Sequence, residues 1–281
     1  MKNILVPTDF SATSKNAAIY ALQLARQISA AKVILYNAYQ PPLVIDAMVP
    51  AVQLWDESML KKESQEALDR FKITLQSFCP ENCLLETYCE YAVLNDGLDE
   101  TCTATDTGLI VMGITGGGMI SEKLVGSNTV AVARHTKVPV IIVPGDTHFK
   151  KVEQVMLLSD FDKADQSIPI NAIRMFLQET KAKLMVYNLE DKPNQQGVMY
   201  PSNVVGESYA VHGILEDLHP TYHFGKNKNF TDSINQFADD HAVNIIMTIP
   251  KKHGLLDNLF MTSHTTKLAF HSHVPLMVIH K

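Results

Sequence analysis

Short, almost continuously apolar runs alternate along this chain with longer stretches whose apolar residues recur at helical spacing. Asn3–Val6 reads as a short strand. Asp9, Ser11 and Ser14 then offer N-cap side chains, and Ala17, Ala21, Leu24, Ala25 and Ile28 share one face of the helix that follows. Lys32–Asn37 reads as a second strand, and Gln40–Gln53, with Pro41, Pro42 and Pro50, as a long loop. Asp56–Phe78 has the pattern of a charged amphipathic helix, Leu84–Ala92 of a strand, Asn95–Asp106 of a helix and Leu109–Gly113 of a buried strand. A further helix starts near Ser127, and Val138–Val143 closes the unit. Continuous apolar strands between helices predict a parallel sheet covered on both faces. Ligands of such sheets sit beyond the carboxyl ends of the strands, at the point where the strand order reverses.

The pattern then repeats. Asn3–Gln40 lies over Gln154–Asp191 without a gap: NILVPTDF over QVMLLSDF, and AKVILYNAY over AKLMVYNLE. Asp9 meets Asp160, and Tyr36-Asn37 meets Tyr187-Asn188. The ends match as well, GLIVM (108–112) over VNIIM (243–247) and VPVIIV (138–143) over VPLMVI (274–279), with a shorter middle in the second copy. Self-similarity at domain length is a duplication rather than a solenoid. The polar, turn-rich PGDTHFKK at Pro144–Lys151 marks the junction, which gives domains at 1–146 and 151–281.

Composition narrows the function classes. The chain has 281 residues, enough for two domains of ordinary size. A net charge of -6, with no Lys/Arg run, argues against nucleic acid as a partner. No apolar run reaches membrane-spanning length, and MKNILVPTDF has no signal-peptide pattern, so a cytoplasmic location is expected. Cys79, Cys83, Cys89 and Cys102 match no common zinc spacing and read as free, mostly buried thiols.

The most informative stretch for chemistry is MGITGGGMISEKLVGSNT, Met112–Thr129. Gly113 and Gly116 are followed by Gly126-Ser127, which open a helix. Glycines admit close backbone approach, and a helix amino end favours phosphate, with Ser127 and Thr129 adding hydroxyls. The same residues also suit a flexible Gly-rich loop with Ser127 as a plain N-cap, and the residues alone leave both open.

G-x2-G-x9-G-[ST] after the fourth strand of a small α/β domain resembles the ATP-binding signature of the universal stress protein family, and Gly113, Gly116, Gly126 and Ser127 match it. ILVPTDFS resembles that family's first strand and turn, VILYNAY its second strand, and VPVIIVP its last strand, which mediates dimer pairing. The resemblance implies two tandem five-stranded, parallel-sheet copies of a Rossmann-like adenine-nucleotide α-hydrolase-like domain. It further implies an internal pseudo-dimer through Val138–Val143 and Leu276–Ile279, with homodimerisation left open. It implies ATP at Pro7, Thr8 and Asp9, at the backbone of Ala38, beside Met112, and at Gly113, Gly116, Gly126, Ser127, Asn128 and Thr129. Asp9 either accepts a ribose hydroxyl bond or helps hold Mg²⁺, and it also suits a helix cap.

The second copy departs from this signature. In Met247–Thr266, Ser263 keeps the place of Ser127, but Thr262 replaces the glycine before it. Thr248 or Ile249 stands for Gly113, and Lys251 or Lys252 for Gly116. A Cβ at those positions narrows the approach to phosphate, so one nucleotide site per chain is expected. His271-x-His273 suits either zinc or a helix end, and the methionines of the second copy read as core filler. No G-x-S-x-G elbow and no G-x4-G-K-[ST] loop is present. The expected function is ATP binding in a stress or regulatory role, in contact with an unidentified protein partner. The alternative is an ATP-dependent hydrolase or nucleotidyl transferase with Asp9 at the phosphate or metal.

Overall fold

The computed structural model describes residues 1–40, 56–114, 127–159, 168–190, 211–226, 230–249 and 272–280. The loop expected at Gln40–Gln53, and Asp160, Gly116, Gly126, Lys251, Lys252, Thr262, Ser263 and His271, lie outside them wholly or in large part.

The first half runs β1 (Asn3–Pro7), α1 (Ala12–Ile28), β2 (Lys32–Tyr39), α2 (Glu57–Leu75), β3 (Leu84–Tyr91), α3 (Leu94–Ala104), β4 (Thr107–Ile114), α4 (Ser127–His135) and β5 (Val140–Pro144). The second half has β6 (Gln154–Leu158), α5 (Ile170–Thr180), β7 (Lys183–Glu190), β8 (Thr221–Lys226), α6 (Phe230–Asp240), β9 (Ile245–Thr248) and β10 (Leu276–Val278). Together the strands form one ten-stranded sheet in the order β3-β2-β1-β4-β5-β10-β9-β6-β7-β8. Pairing is parallel within each half and antiparallel only at the centre, where Leu276, Met277 and Val278 face Ile142, Ile141 and Val140. This is the α/β architecture expected, with the closing strands of the two copies as the seam.

Local chemistry accounts for the elements. Ser11 is extended and accepts from the Ser14 N–H (3.1 Å), which caps α1. Ser29 ends it in the left-handed conformation at φ 54°. Asp56 caps α2, accepting from the Ser58 N–H (2.9 Å). Because strand side chains alternate, each central strand feeds two cores. Val143, Ile141, Met277 and Ile279 join one cluster, with α1 and α5 over it. Val140, Ile142, Leu276 and Val278 join the other, beneath α3, α4 and α6. Both clusters run without a break from one half to the other.

Polar contacts lock the halves outside the sheet. The Gln27 side chain on α1 donates to the carbonyls of Val152 (2.8 Å) and Thr180 (2.9 Å) and accepts from the Val152 N–H (2.8 Å). The Met1 amino group pairs with Glu179 on α5. His280 donates from Nε2 to the Ala133 carbonyl (2.6 Å). Among the described residues no helix is long and apolar enough to cross a membrane.

Candidate functional site

In the first half the chain builds β1, β2 and β3 outward in one direction, then crosses back to place β4 on the other side of β1. The reversal puts a crevice between the carboxyl ends of β1 and β4. The turn that leaves β1 is tightly bonded. Thr8 is buried. Its N–H donates to the Tyr36 carbonyl (2.8 Å), and its hydroxyl accepts from the Phe10 N–H (3.0 Å) and shares a bond with the Ser14 hydroxyl (3.0 Å). Phe10 takes a left-handed φ of 64°, and its ring packs edge-on against Phe71. Such strain in a non-glycine residue persists only where its surroundings enforce it.

Asp9 stands exposed on this turn. It accepts from the Ser11 N–H (3.1 Å) and does not cap α1, a task that Ser11 performs. Partial burial alone would raise its pKa, but hydrogen bonds from Ser11, Ser14 and its own backbone outweigh that and hold it below the ordinary carboxylate value. The crevice therefore carries a fixed negative charge at neutral pH, suited to a ribose hydroxyl or a hard cation. Pro7 is buried and ends β1 opposite Tyr36. β2 runs on past that point. By the alternation of a parallel ladder, the N–H and C=O of Ala38 face the β1 side of the sheet beyond the end of that strand. Asn37 closes the gap by donating from its side-chain amide to the Thr8 carbonyl (2.8 Å), and its side-chain oxygen accepts from the Ser64 hydroxyl on α2 (2.8 Å). Asn37 was visible in the sequence as half of a repeated Tyr-Asn pair, yet nothing there assigned it this bond.

At the end of β4, Met112 is buried in the core under α3 and α4. A Cβ on Gly113 would lie 2.5 Å from the carbonyl oxygen of Thr13 and 2.7 Å from its methyl group. At this glycine the close neighbour is thus the first turn of α1, not open space. The Gly113 carbonyl accepts from the buried Thr129 hydroxyl (2.8 Å), which ties the first turn of α4 to the strand. Ser127 is the first residue of α4, and Asn128 beside it is exposed. The crevice thus brings Pro7, Thr8, Asp9, Gly113, Thr129 and the start of α4 together, with Ala38 on its β2 side.

The second half repeats one end of this arrangement. The Ser159 N–H donates to the Tyr187 carbonyl (3.1 Å), and Asn188 donates to the Ser159 carbonyl (2.9 Å). The other end changes. Ile4 and Leu5 stand opposite Leu109 and Ile110, as Val155 and Met156 stand opposite Ile245 and Ile246. The sheet register therefore sets Thr248 in the place of Met112 and Ile249 in the place of Gly113, one residue off the sequence match of GLIVM with VNIIM. Ile249 is buried in the apolar core. Thr248 is 1% exposed, and its hydroxyl has no hydrogen-bond partner among the described residues.

The model of the universal stress protein family matches residues 1–144. The chain belongs to the universal stress protein family. A universal stress protein of Methanocaldococcus jannaschii is 30% identical over 144 residues, which are 50% of this chain and 81% of that protein. The solved universal stress protein of Archaeoglobus fulgidus covers 99% of this chain and 96% of its own at a TM-score of 0.67 and 17% identity, a likeness of fold over both halves. A universal stress protein solved in complex with cAMP is 27% identical, with a TM-score of 0.36, over 50% of this chain and 96% of its own.

In this universal stress protein the described C-terminal histidines make structural bonds, one within the second half and one across to the first. His273 donates from Nε2 to Asp239 (2.6 Å), a carboxylate brought from α6, and His280 bonds to Ala133. Among the described residues no group of three or more His, Cys, Asp and Glu is placed to hold a metal ion. Met156, Met247 and Met277 are core residues, whereas Met175 is 47% exposed.

Proposed function

We propose that this protein binds ATP, with Mg²⁺, in the first half only, and acts in the cytoplasm as a regulatory stress protein. In this reading residues 1–146 are the nucleotide-carrying domain and 151–281 its degenerate partner. The observation that supports it best is the meeting, at one switch point, of the anionic Asp9, the backbone of Ala38 and the first turn of α4 held on Gly113 by Thr129. Adenine would lie against the Ala38 backbone, a ribose hydroxyl or the cation against Asp9, and the phosphates at Ser127, Asn128 and Thr129, where the helix amino end favours anions. In the second half the Asn188 turn persists, but Ile249 carries a buried side chain where Gly113 has none. ATP would act by binding one conformation in preference to another and so altering contacts with a protein partner.

Calorimetric titration of the full chain with Mg-ATP is expected to give about one site, lost in Gly126→Val because a Cβ forbids close backbone approach there. Two sites would sink the asymmetry, and none would sink the nucleotide reading. Steady ATP turnover lost in Asp9→Ala would instead make the protein a hydrolase or nucleotidyl transferase.

A further inference from the structure

At the opposite edge of the first half, where the strands begin, Cys79 and Cys83 flank a tight turn through Pro80, Glu81 and Asn82. The turn links the 3-10 segment Gln76–Phe78 to β3, with the Cys83 N–H donating to the Pro80 carbonyl (3.0 Å). The Cys79 thiol donates to the Cys83 carbonyl (3.3 Å), and the Cys83 thiol donates to the Leu84 carbonyl (3.8 Å), so both sulfurs belong to this one turn. Cys83 is buried at 7% exposure, and Cys79 is half-buried above it. A cavity of about 550 Å³ opens over the pair, lined also by Arg26, Ser29, Ser77, Glu81 and Asn82. Cys89, by contrast, contacts Gln65 on α2, and Cys102 is buried in the core on the other face of the sheet; neither lines this cavity.

We propose that Cys79 and Cys83 form a dithiol that closes to a disulfide by exchange with a small anionic disulfide seated in this cavity, with Arg26 receiving its carboxylate. The groups facing the pair set the order of attack. Burial holds the Cys79 pKa above the ordinary thiol value, with the Cys83 thiol, Lys72 and Arg26 offsetting only part of the rise. Cys83 is pushed up to about 11 by burial and by Cys79. Cys79 therefore ionises first, and its thiolate is the attacking species. Cys79 attacks one sulfur of the small disulfide, forming a mixed disulfide and releasing one thiolate. Cys83 then attacks the Cys79 sulfur, the second small thiolate leaves, and the protons of the two cysteines end on the two released thiols. Two thiols are oxidised and one disulfide is reduced, so no further reactant is needed. The cavity lies at the far end of the strands from Asp9, so this chemistry stands independently of nucleotide binding.

The test uses the full chain and glutathione disulfide, followed by alkylation and digestion after glutamate, without reductant. Glu81 lies between the two cysteines, so cleavage there separates them unless they are joined. The expected product has lost two hydrogens and keeps the fragments on either side of Glu81 linked, in the parent chain and in Cys89→Ser and Cys102→Ser alike. Cys83→Ser should trap the glutathione adduct on Cys79. Cys79→Ser should acquire an adduct on Cys83 at least about tenfold more slowly, since the sulfur left is the higher-pKa one. Arg26→Gln should slow closure about fivefold with glutathione disulfide and leave it unchanged with hydroxyethyl disulfide, which carries no charge. A link to Cys89 or Cys102, an unresolved adduct on the parent chain, or no reaction overturns the proposal. Equal effects of Arg26→Gln on both reagents overturn the anionic ligand.

Discussion

At the ends of β1 and β6 the backbone makes the same turn. Thr8 and Ser159 each donate to a tyrosine carbonyl, and Asn37 and Asn188 each reach back to close it. Around the two tyrosines the halves diverge. The Tyr36 hydroxyl donates to Glu90 (3.0 Å), which also accepts from Thr101 (2.9 Å). In the second half the register puts Gly225 at the place of Glu90. The space a Cβ would need there is filled by the Tyr187 hydroxyl, and the Tyr187 ring packs at 4.3 Å on Phe237. One half keeps polar groups at the mouth of its strands, and the other replaces them with apolar packing at the same positions. The lesson is that duplication preserved what pairs the strands, whereas what faces the crevice was free to change. Backbone ladders constrain every copy, while a crevice constrains only the copy that uses it.

Three experiments sharpen or break this contrast, from largest effect to smallest. Ile249→Ala should cost about 2–5 kcal/mol in urea unfolding, as truncation of a well-packed core side chain does. Gly113→Val in the first half should cost roughly 1–3 kcal/mol for the opposite reason, since α1 must move off β4 to admit the side chain. If Ile249→Ala is nearly silent, the second crevice is not filled and the asymmetry fails.

Threonine-to-valine substitutions should have opposite signs in the two halves. Thr129→Val removes the bond to the Gly113 carbonyl and should destabilise by about 0.5–1.5 kcal/mol. Thr248→Val removes a buried hydroxyl that has no partner among the described residues and should be neutral or stabilising by up to about 1 kcal/mol. Equal losses in both would show that Thr248 has a partner in solution.

The smallest effect is on pH dependence. His223 stands at the place of Tyr88, opposite Tyr187 as Tyr88 is opposite Tyr36. Burial lowers the His223 pKa, and the neighbouring His241 lowers it further; Phe237 and Thr221 also contact the ring. A base whose folded pKa is depressed favours the fold when neutral. Its contribution is present above the ordinary histidine value and is lost as pH falls through the folded value. Urea midpoints should therefore decline on acidification from about pH 7 to 5, and less steeply in His223→Tyr. An identical slope in the variant would remove His223 as the cause.

Much of this was legible along the chain. The apolar runs at Asn3–Val6, Lys32–Asn37 and Leu109–Gly113 became β1, β2 and β4 with edges moved by a residue or two, because a strand buried on both faces leaves no polar position to disguise it. Ser11 rather than Asp9 caps α1, since capping depends on which side chain reaches a free N–H, and three candidates in a row do not reveal that. The match of GLIVM with VNIIM was as good as its one-residue neighbour, because apolar runs slide past one another without changing character. Only hydrogen-bonded register separated them and made Ile249 the counterpart of Gly113.

The sequence by itself determined the duplication, the parallel strands, the seam strands and the family, because these rest on local patterns that recur wherever the same backbone is built. The tertiary structure alone decided which residues stand at the crevice and what they touch. It set Thr13 against Gly113, Thr129 on its carbonyl, Asn37 across to Thr8, and Cys79 beside Cys83 under one cavity. The bonds at the crevice join residues brought together by chain crossings, and the cavity over the cysteine turn needs α1 as its other wall. Such contacts depend on distances through space that spacing along a sequence does not encode.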